Sequence, residues 1–95
     1  MTDRSGDAKY AACDGVAYRE IEGQILILKA DADVLQTLNA TGAFIWKRLT
    51  KQQSVSRIAQ GLATAFRIDR SRAEADVATF VADLKKQGLI RKLRS

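Results

Sequence analysis

The spacing of apolar residues changes at Leu38-Asn39, and that change sets the architecture. Before it, apolar side chains come in short runs: Val16-Ala17-Tyr18, Ile25-Leu26-Ile27-Leu28 and Val34-Leu35. After it they recur three and four residues apart almost to the end of the chain. Short runs bounded by turn residues read as strands, and the later period reads as helix. The expected fold class is therefore α+β, a small three-stranded antiparallel sheet followed by three helices.

Turn chemistry divides the first part. Asp14-Gly15 precedes a strand over 16–21, and Glu22-Gly23 is a hairpin turn into a second strand over 24–29. The second run is apolar on both faces, which predicts the central strand. Asp31-Ala32-Asp33 turns the chain into a third strand over 34–38, expected at an edge with unpaired N–H and C=O groups. Asn39 caps a first helix over 40–49, with Leu38, Gly42, Ile45, Trp46 and Leu49 on one face and the Trp46 indole N–H partnered at the rim. Gly42, inside that helix, marks a close packing contact. Ser54 caps a second helix carrying Val55, Ile58, Ala59, Leu62, Ala63 and Phe66 at amphipathic spacing. Ser71-Arg72-Ala73-Glu74 has the capping-box pattern, predicting a third helix from there to about Gln87 with Gly88 as its stop. Leu89 and Ile90 return to the core as a short extended piece.

Ninety-five residues make one domain. Residues 1–13 read as a flexible N-terminal arm tied down near Tyr10, residues 14–90 as the folded unit and residues 91–95 as a basic tail. Charge is uneven within the total of +5. The sequence to residue 33 carries four Lys/Arg and seven Asp/Glu, and the rest carries twelve and four. A basic helical half calls for an acidic partner or is simply a solvated surface. No apolar run is long enough for a signal or a membrane span, so the cytoplasm is the simplest placement.

Parts for catalysis are missing. The chain has no histidine and one cysteine, Cys13, which excludes an internal disulfide and a Cys-only zinc site. Cys13 has no cationic neighbour in sequence to activate it. Asp31 and Asp33 fall short of an oxygen cage for a metal and read as a solvated turn. No cofactor motif is present, and the expectation is a binding protein, not an enzyme. Three occupants suit an open sheet edge beside a helix. A peptide can add a strand to residues 34–38, with pockets choosing among side chains. A winged helix-turn-helix could instead lay its third helix in DNA, but Glu74, Asp76 and Asp83 on that helix would repel phosphates. A second copy could pair through the same edge as a homodimer.

The segment Leu38-Asn39-Ala40-Thr41-Gly42-Ala43-Phe44-Ile45-Trp46 resembles the LN-x-T-G-x-x-I-W signature of PqqD-like proteins. Val55, Ile58 and Leu62, the stretch from Ala73 through Phe80 to Leu84, and Gly88-Leu89-Ile90 extend the likeness over about residues 14–90. Relatives often carry a glycine and an aromatic pair before the LN, where this chain has Asp33-Val34-Leu35-Gln36-Thr37. Members serving pyrroloquinoline quinone synthesis generally lack the N-x-T-G-x-x-I-W piece. The resemblance therefore favours the wider family, such as stand-alone leader binders of lasso-peptide pathways.

The resemblance implies a winged helix-turn-helix-like recognition element for ribosomally made, post-translationally modified (RiPP) precursor peptides. Such a peptide chaperone holds the leader as an antiparallel strand and presents the core to a modifying enzyme such as a protease, cyclase or radical enzyme. One expected wall is Val34, Leu35, Gln36, Thr37 and Leu38. The other is Asp76, Thr79, Phe80, Asp83 and Gln87 on the third helix.

Overall fold

The computed structural model describes residues 8–29 and 34–93, the side chains of Lys29 and Val34 excepted. The chain runs β1 (Tyr10–Ala12), β2 (Val16–Ile21), β3 (Gln24–Lys29), β4 (Val34–Leu38), α1 (Ala40–Leu49), α2 (Val55–Phe66), α3 (Arg70–Lys86) and β5 (Ile90–Lys92). β2, β3 and β4 form an antiparallel sheet in that order, so the doubly apolar strand is central and β4 is an edge. The β2–β3 turn puts both Glu22 and Gly23 at positive φ, 52° and 82°, the two-residue geometry that follows the twist of its strands. Opposite β3, Leu35 is the extra residue of a bulge between the pairs Ile27–Gln36 and Leu28–Val34. The turn expected at Asp31–Asp33 lies outside the described residues.

One face of the sheet packs under the helices. Ile25 and Ile27 of β3 and Leu38 of β4 meet Ile45, Trp46 and Leu49 of α1, Ile58 and Leu62 of α2, and Ala73, Val77 and Leu84 of α3 in a single core. Burial of each large side chain is worth roughly 1.5–3 kcal/mol. Trp46 is fully buried, edge-on to Tyr18 with ring centres 5.6 Å apart. Among the described residues its Nε1 has no hydrogen-bond partner, contrary to the partnered rim position expected from sequence. An unpaired buried donor costs about 1–3 kcal/mol. An indole that buries some 150–250 Å² at about 25 cal/mol per Å² outweighs that cost.

Several termini differ from the sequence expectation. α3 begins at Arg70 with Asp69 in the cap position, two residues before the expected Ser71 cap, and the Asp69 side chain makes no cap hydrogen bond. Arg70 takes the Glu74 carboxylate at 3.1 Å, the group a capping box would have used. Arg70 also donates to Ser56 Oγ at 3.1 Å, which ties the starts of α2 and α3 together. Phe66, on the apolar stripe of α2 by spacing, is 38% exposed because it ends the helix, one residue before the left-handed Arg67 (φ 54°). Gly88 (φ 75°) stops α3 as expected: its N–H donates to the Lys85 carbonyl and the Leu89 N–H to the Leu84 carbonyl.

The ends of the described chain are also more ordered than sequence suggests. Residues 1–7 of the expected arm lie outside the described residues, but Ala8 and Tyr10 are buried in the core. Tyr10–Ala12 pair antiparallel with Ile90–Lys92, and the Val55 N–H donates to the Ala8 carbonyl at 2.9 Å. Arg91 and Lys92 thus belong to a strand, not to a basic tail, whose remaining Arg94 and Ser95 lie outside the described residues. Each segment supplies the other's backbone hydrogen bonds, and composition alone does not reveal that pairing.

Candidate functional site

β4 leaves one side of its backbone without a strand partner among the described residues. Which groups face out follows from the ladder. Ile21 and Gln24 close the hairpin, so Gln24, Leu26 and Leu28 point their backbone groups at β2, and Ile25 and Ile27 point theirs at β4. Their partners, Leu38 and Gln36, therefore face β3. Thr37, between them, turns its N–H and C=O outward. A proline at Gln36 would break the sheet itself, and the residue to alter at the open edge is Thr37.

Between this edge and α3 lies a cleft of about 360 Å³. Gln36, Thr37 and Leu38 line it from β4, and Asp76, Thr79, Phe80 and Asp83 line it from α3. Those four recur at positions i, i+3, i+4 and i+7, one stripe of a helix. Seven of the ten residues singled out from sequence are thus brought together. Leu35, displaced by the bulge and 39% exposed, does not line the cleft, and neither does Gln87, the exposed C-cap of α3. The Val34 side chain lies outside the described residues, and its backbone pairs with Leu28 beyond the bulge.

The sequence reading missed the floor. Asn39, Thr41, Gly42 and Ile45 line the cleft from the start of α1. Asn39 is the cap of α1, as its sequence position indicates, and its Oδ1 accepts the Gly42 N–H at 2.9 Å. Gly42 is where α1 approaches both walls. A Cβ there would stand 3.2 Å from Phe80 Cε1 and 3.3 Å from Leu38 Cβ. The spacing of Thr41 and Ile45, four apart on one helix face, was the available signal.

The chemistry of the cleft suits a peptide. Leu38, Ile45 and Phe80 supply apolar surface, and the Thr37 backbone supplies one donor and one acceptor. Gln36 Oε1 is buried without a donor among the described residues, and a buried acceptor of that kind gains from a guest N–H. Asp76 and Asp83 make the α3 rim acidic. The nearest cation, Arg72 Nε, is 3.8 Å from Asp76, a loose and exposed pair. Among the described residues no three His, Cys, Asp or Glu side chains converge as a metal site, and no helix is long and apolar enough to cross a membrane.

A three-stranded sheet under three helices, with an open edge facing the last helix, defines a winged-helix-like domain. The chain belongs to the PqqD family: the family model described as coenzyme PQQ synthesis protein D matches residues 24–90. No curated protein matches the sequence. Two solved structures share the fold. One, TbiB1 in complex with the TbiA(β) leader peptide, is 21% identical with a TM-score of 0.78, over 90% of this chain and 99% of that one. The other, lasso peptide synthetase B1 complexed with the leader peptide, is 27% identical with a TM-score of 0.78, over 88% and 99%.

Proposed function

We propose that this protein captures the leader of a ribosomally synthesised precursor peptide by strand addition to β4 and presents it to a modifying enzyme. The observation that carries the reading is an unpaired edge facing an apolar-floored cleft. It occurs in a chain whose solved neighbours are both leader-peptide complexes. The leader enters as an antiparallel strand between β4 and α3. Its backbone bonds Thr37, one apolar side chain descends toward Leu38, Ile45 and Phe80, and a donor group meets Gln36 or the Asp76–Asp83 rim. The protein itself performs no chemistry. It acts in the cytoplasm as a peptide chaperone for a protease, cyclase or radical enzyme that acts on the precursor. The duplex-DNA alternative gains no support from α3, whose exposed surface carries Glu74 and Asp83.

Titration with the leader, followed by amide NMR, tests this. Shifts should fall on residues 35–42 and on the 76–83 flank of α3. Thr37→Pro removes the outward donor at an edge position that tolerates proline. One lost hydrogen bond, about 0.5–1.5 kcal/mol, weakens binding about two- to tenfold with the fold retained. Unchanged affinity, or shifts confined to the C-terminal basic residues, would refute strand addition.

A further inference from the structure

A second cleft, about 510 Å³, opens on another face of α1. Glu20 and Gly23 bound it from the β2–β3 hairpin, and Phe44, Lys47, Arg48 and Lys51 bound it from α1 and the turn that follows. Phe66, at the end of α2, closes it. Phe44 and Phe66 meet edge to face at 5.6 Å, and the Arg48 guanidinium lies 4.4 Å over the Phe44 ring while donating to Gln53 Oε1 at 3.3 Å. A neighbouring depression shares Arg48 and Gln53 and adds Arg57.

Two features mark this face. Phe66 keeps 38% of its surface exposed, among the few large apolar side chains that do. Three cations, Lys47, Arg48 and Lys51, line the cleft with it and Arg57 lies in the neighbouring depression; among the described residues only Lys47 of these four has a carboxylate, Glu20 at 3.1 Å. The β4–α3 cleft has the opposite character, with carboxylates on its rim. An aromatic anchor beside several cations that lack a carboxylate is the arrangement that holds an acidic, apolar-bearing segment.

We infer that this cleft is a second docking surface, for an acidic segment of a partner protein that seats a large apolar side chain against Phe66. Carboxylates on either side of that side chain would meet Lys51 and Arg48, with Arg57 extending the track. Nucleic acid fits less well. Arg48 already covers the face of Phe44, leaving no open ring for a base there, and Glu20 stands in the cleft wall. Thr41, Gly42 and Ile45 line the first cleft, whereas Ala40, Phe44 and Lys47 line this one. A peptide strand on β4 and a protein segment here would therefore not compete.

The experiment uses the whole chain and a synthetic probe peptide alternating glutamate with leucine and phenylalanine. A counterpart with lysine for glutamate serves as control. Amide NMR at low salt should give saturable shifts over residues 43–53 and 60–67. Lys51→Glu with Arg57→Glu, both exposed, should weaken the probe at least tenfold without changing Tm, and Phe66→Ser should weaken it independently. Loss on raising salt is expected as well. Four results would overturn the inference: no saturable shifts, shifts confined to the β4–α3 cleft, equal binding of the lysine peptide, or tighter binding of a DNA oligonucleotide at the same residues.

Discussion

Two glycines sit inside helices of this domain, and the same substitution should move stability in opposite directions. Gly61, in α2, has room: a Cβ would lie 3.4 Å from Arg48 Cζ and Nη1 and from Phe44 Cζ, near ordinary contact and partly against a flexible side chain. Gly61→Ala therefore collects the helix-propensity difference, about 0.5–1 kcal/mol. Gly42 lies in the first turn of α1, where that gain is smaller. Its Cβ would stand 3.2 Å from Phe80 Cε1, 3.3 Å from Leu38 Cβ and 3.5 Å from Asn39 Oδ1. Carbon pairs are most favourable at about 3.5–4.0 Å. The Phe80 ring can give way into the cleft, but Leu38 Cβ is fixed to the strand backbone. Overpacking of this kind costs about 1–3 kcal/mol, and displacing Asn39 would also weaken the 2.9 Å cap bond. The net expectation for Gly42→Ala is a loss of about 1 kcal/mol, which lowers Tm by about 4–8 °C in a domain of this size. Thermal unfolding by circular dichroism measures both variants, and leader titration should show weaker capture by Gly42→Ala alone. A Tm for Gly42→Ala that rises as far as that of Gly61→Ala would refute the close-approach argument.

Asn39→Ala should lower stability by about 1 kcal/mol through loss of the cap, and Asn39→Asp, which keeps the acceptor, should restore most of it. Denaturant midpoints compare the three, and an unchanged midpoint for the alanine variant would contradict the assigned cap. Trp46→Phe should cost about 1 kcal/mol or less, because the lost ring volume is offset by removal of an unpaired N–H. Trp46→Ala should cost about 3–5 kcal/mol. Equal losses for the two, read by circular dichroism, would mean that the indole N–H has a partner after all.

Much of this fold was readable because its signals are local. The strand runs, the Glu22-Gly23 turn, the Asn39 and Ser54 caps and the Gly88 stop each depend on residues a few positions apart, and each lies where sequence indicated. The misses involve partners far away in the chain. Tyr10–Ala12 become a strand only because Ile90–Lys92 lie beside them. Ser71 offered a sound capping pattern, yet α3 starts at Arg70, whose guanidinium meets both Glu74 and Ser56. The cleft was half legible for the same reason. Its α3 wall repeats at helical spacing, whereas the bulge that swings Leu35 aside is set by pairing with β3.

An open edge invites indiscriminate pairing, and the way this one is guarded bears on what it accepts. β4 is five residues long and bulged at Leu35, so only a short stretch offers a regular ladder. Across the cleft α3 forms a wall with Phe80 low and two carboxylates on the rim. Another sheet would have to bring its second strand and its far-face side chains into the volume α3 already fills. A single extended segment carries no such bulk and can slide between the walls, with alternate side chains pointing down to Leu38, Ile45 and Phe80. The helix that completes the pocket is thus also the element that screens out self-pairing. On the proposed reading, selectivity for a lone strand arises from the separation of β4 and α3, before any side chain of the guest is read.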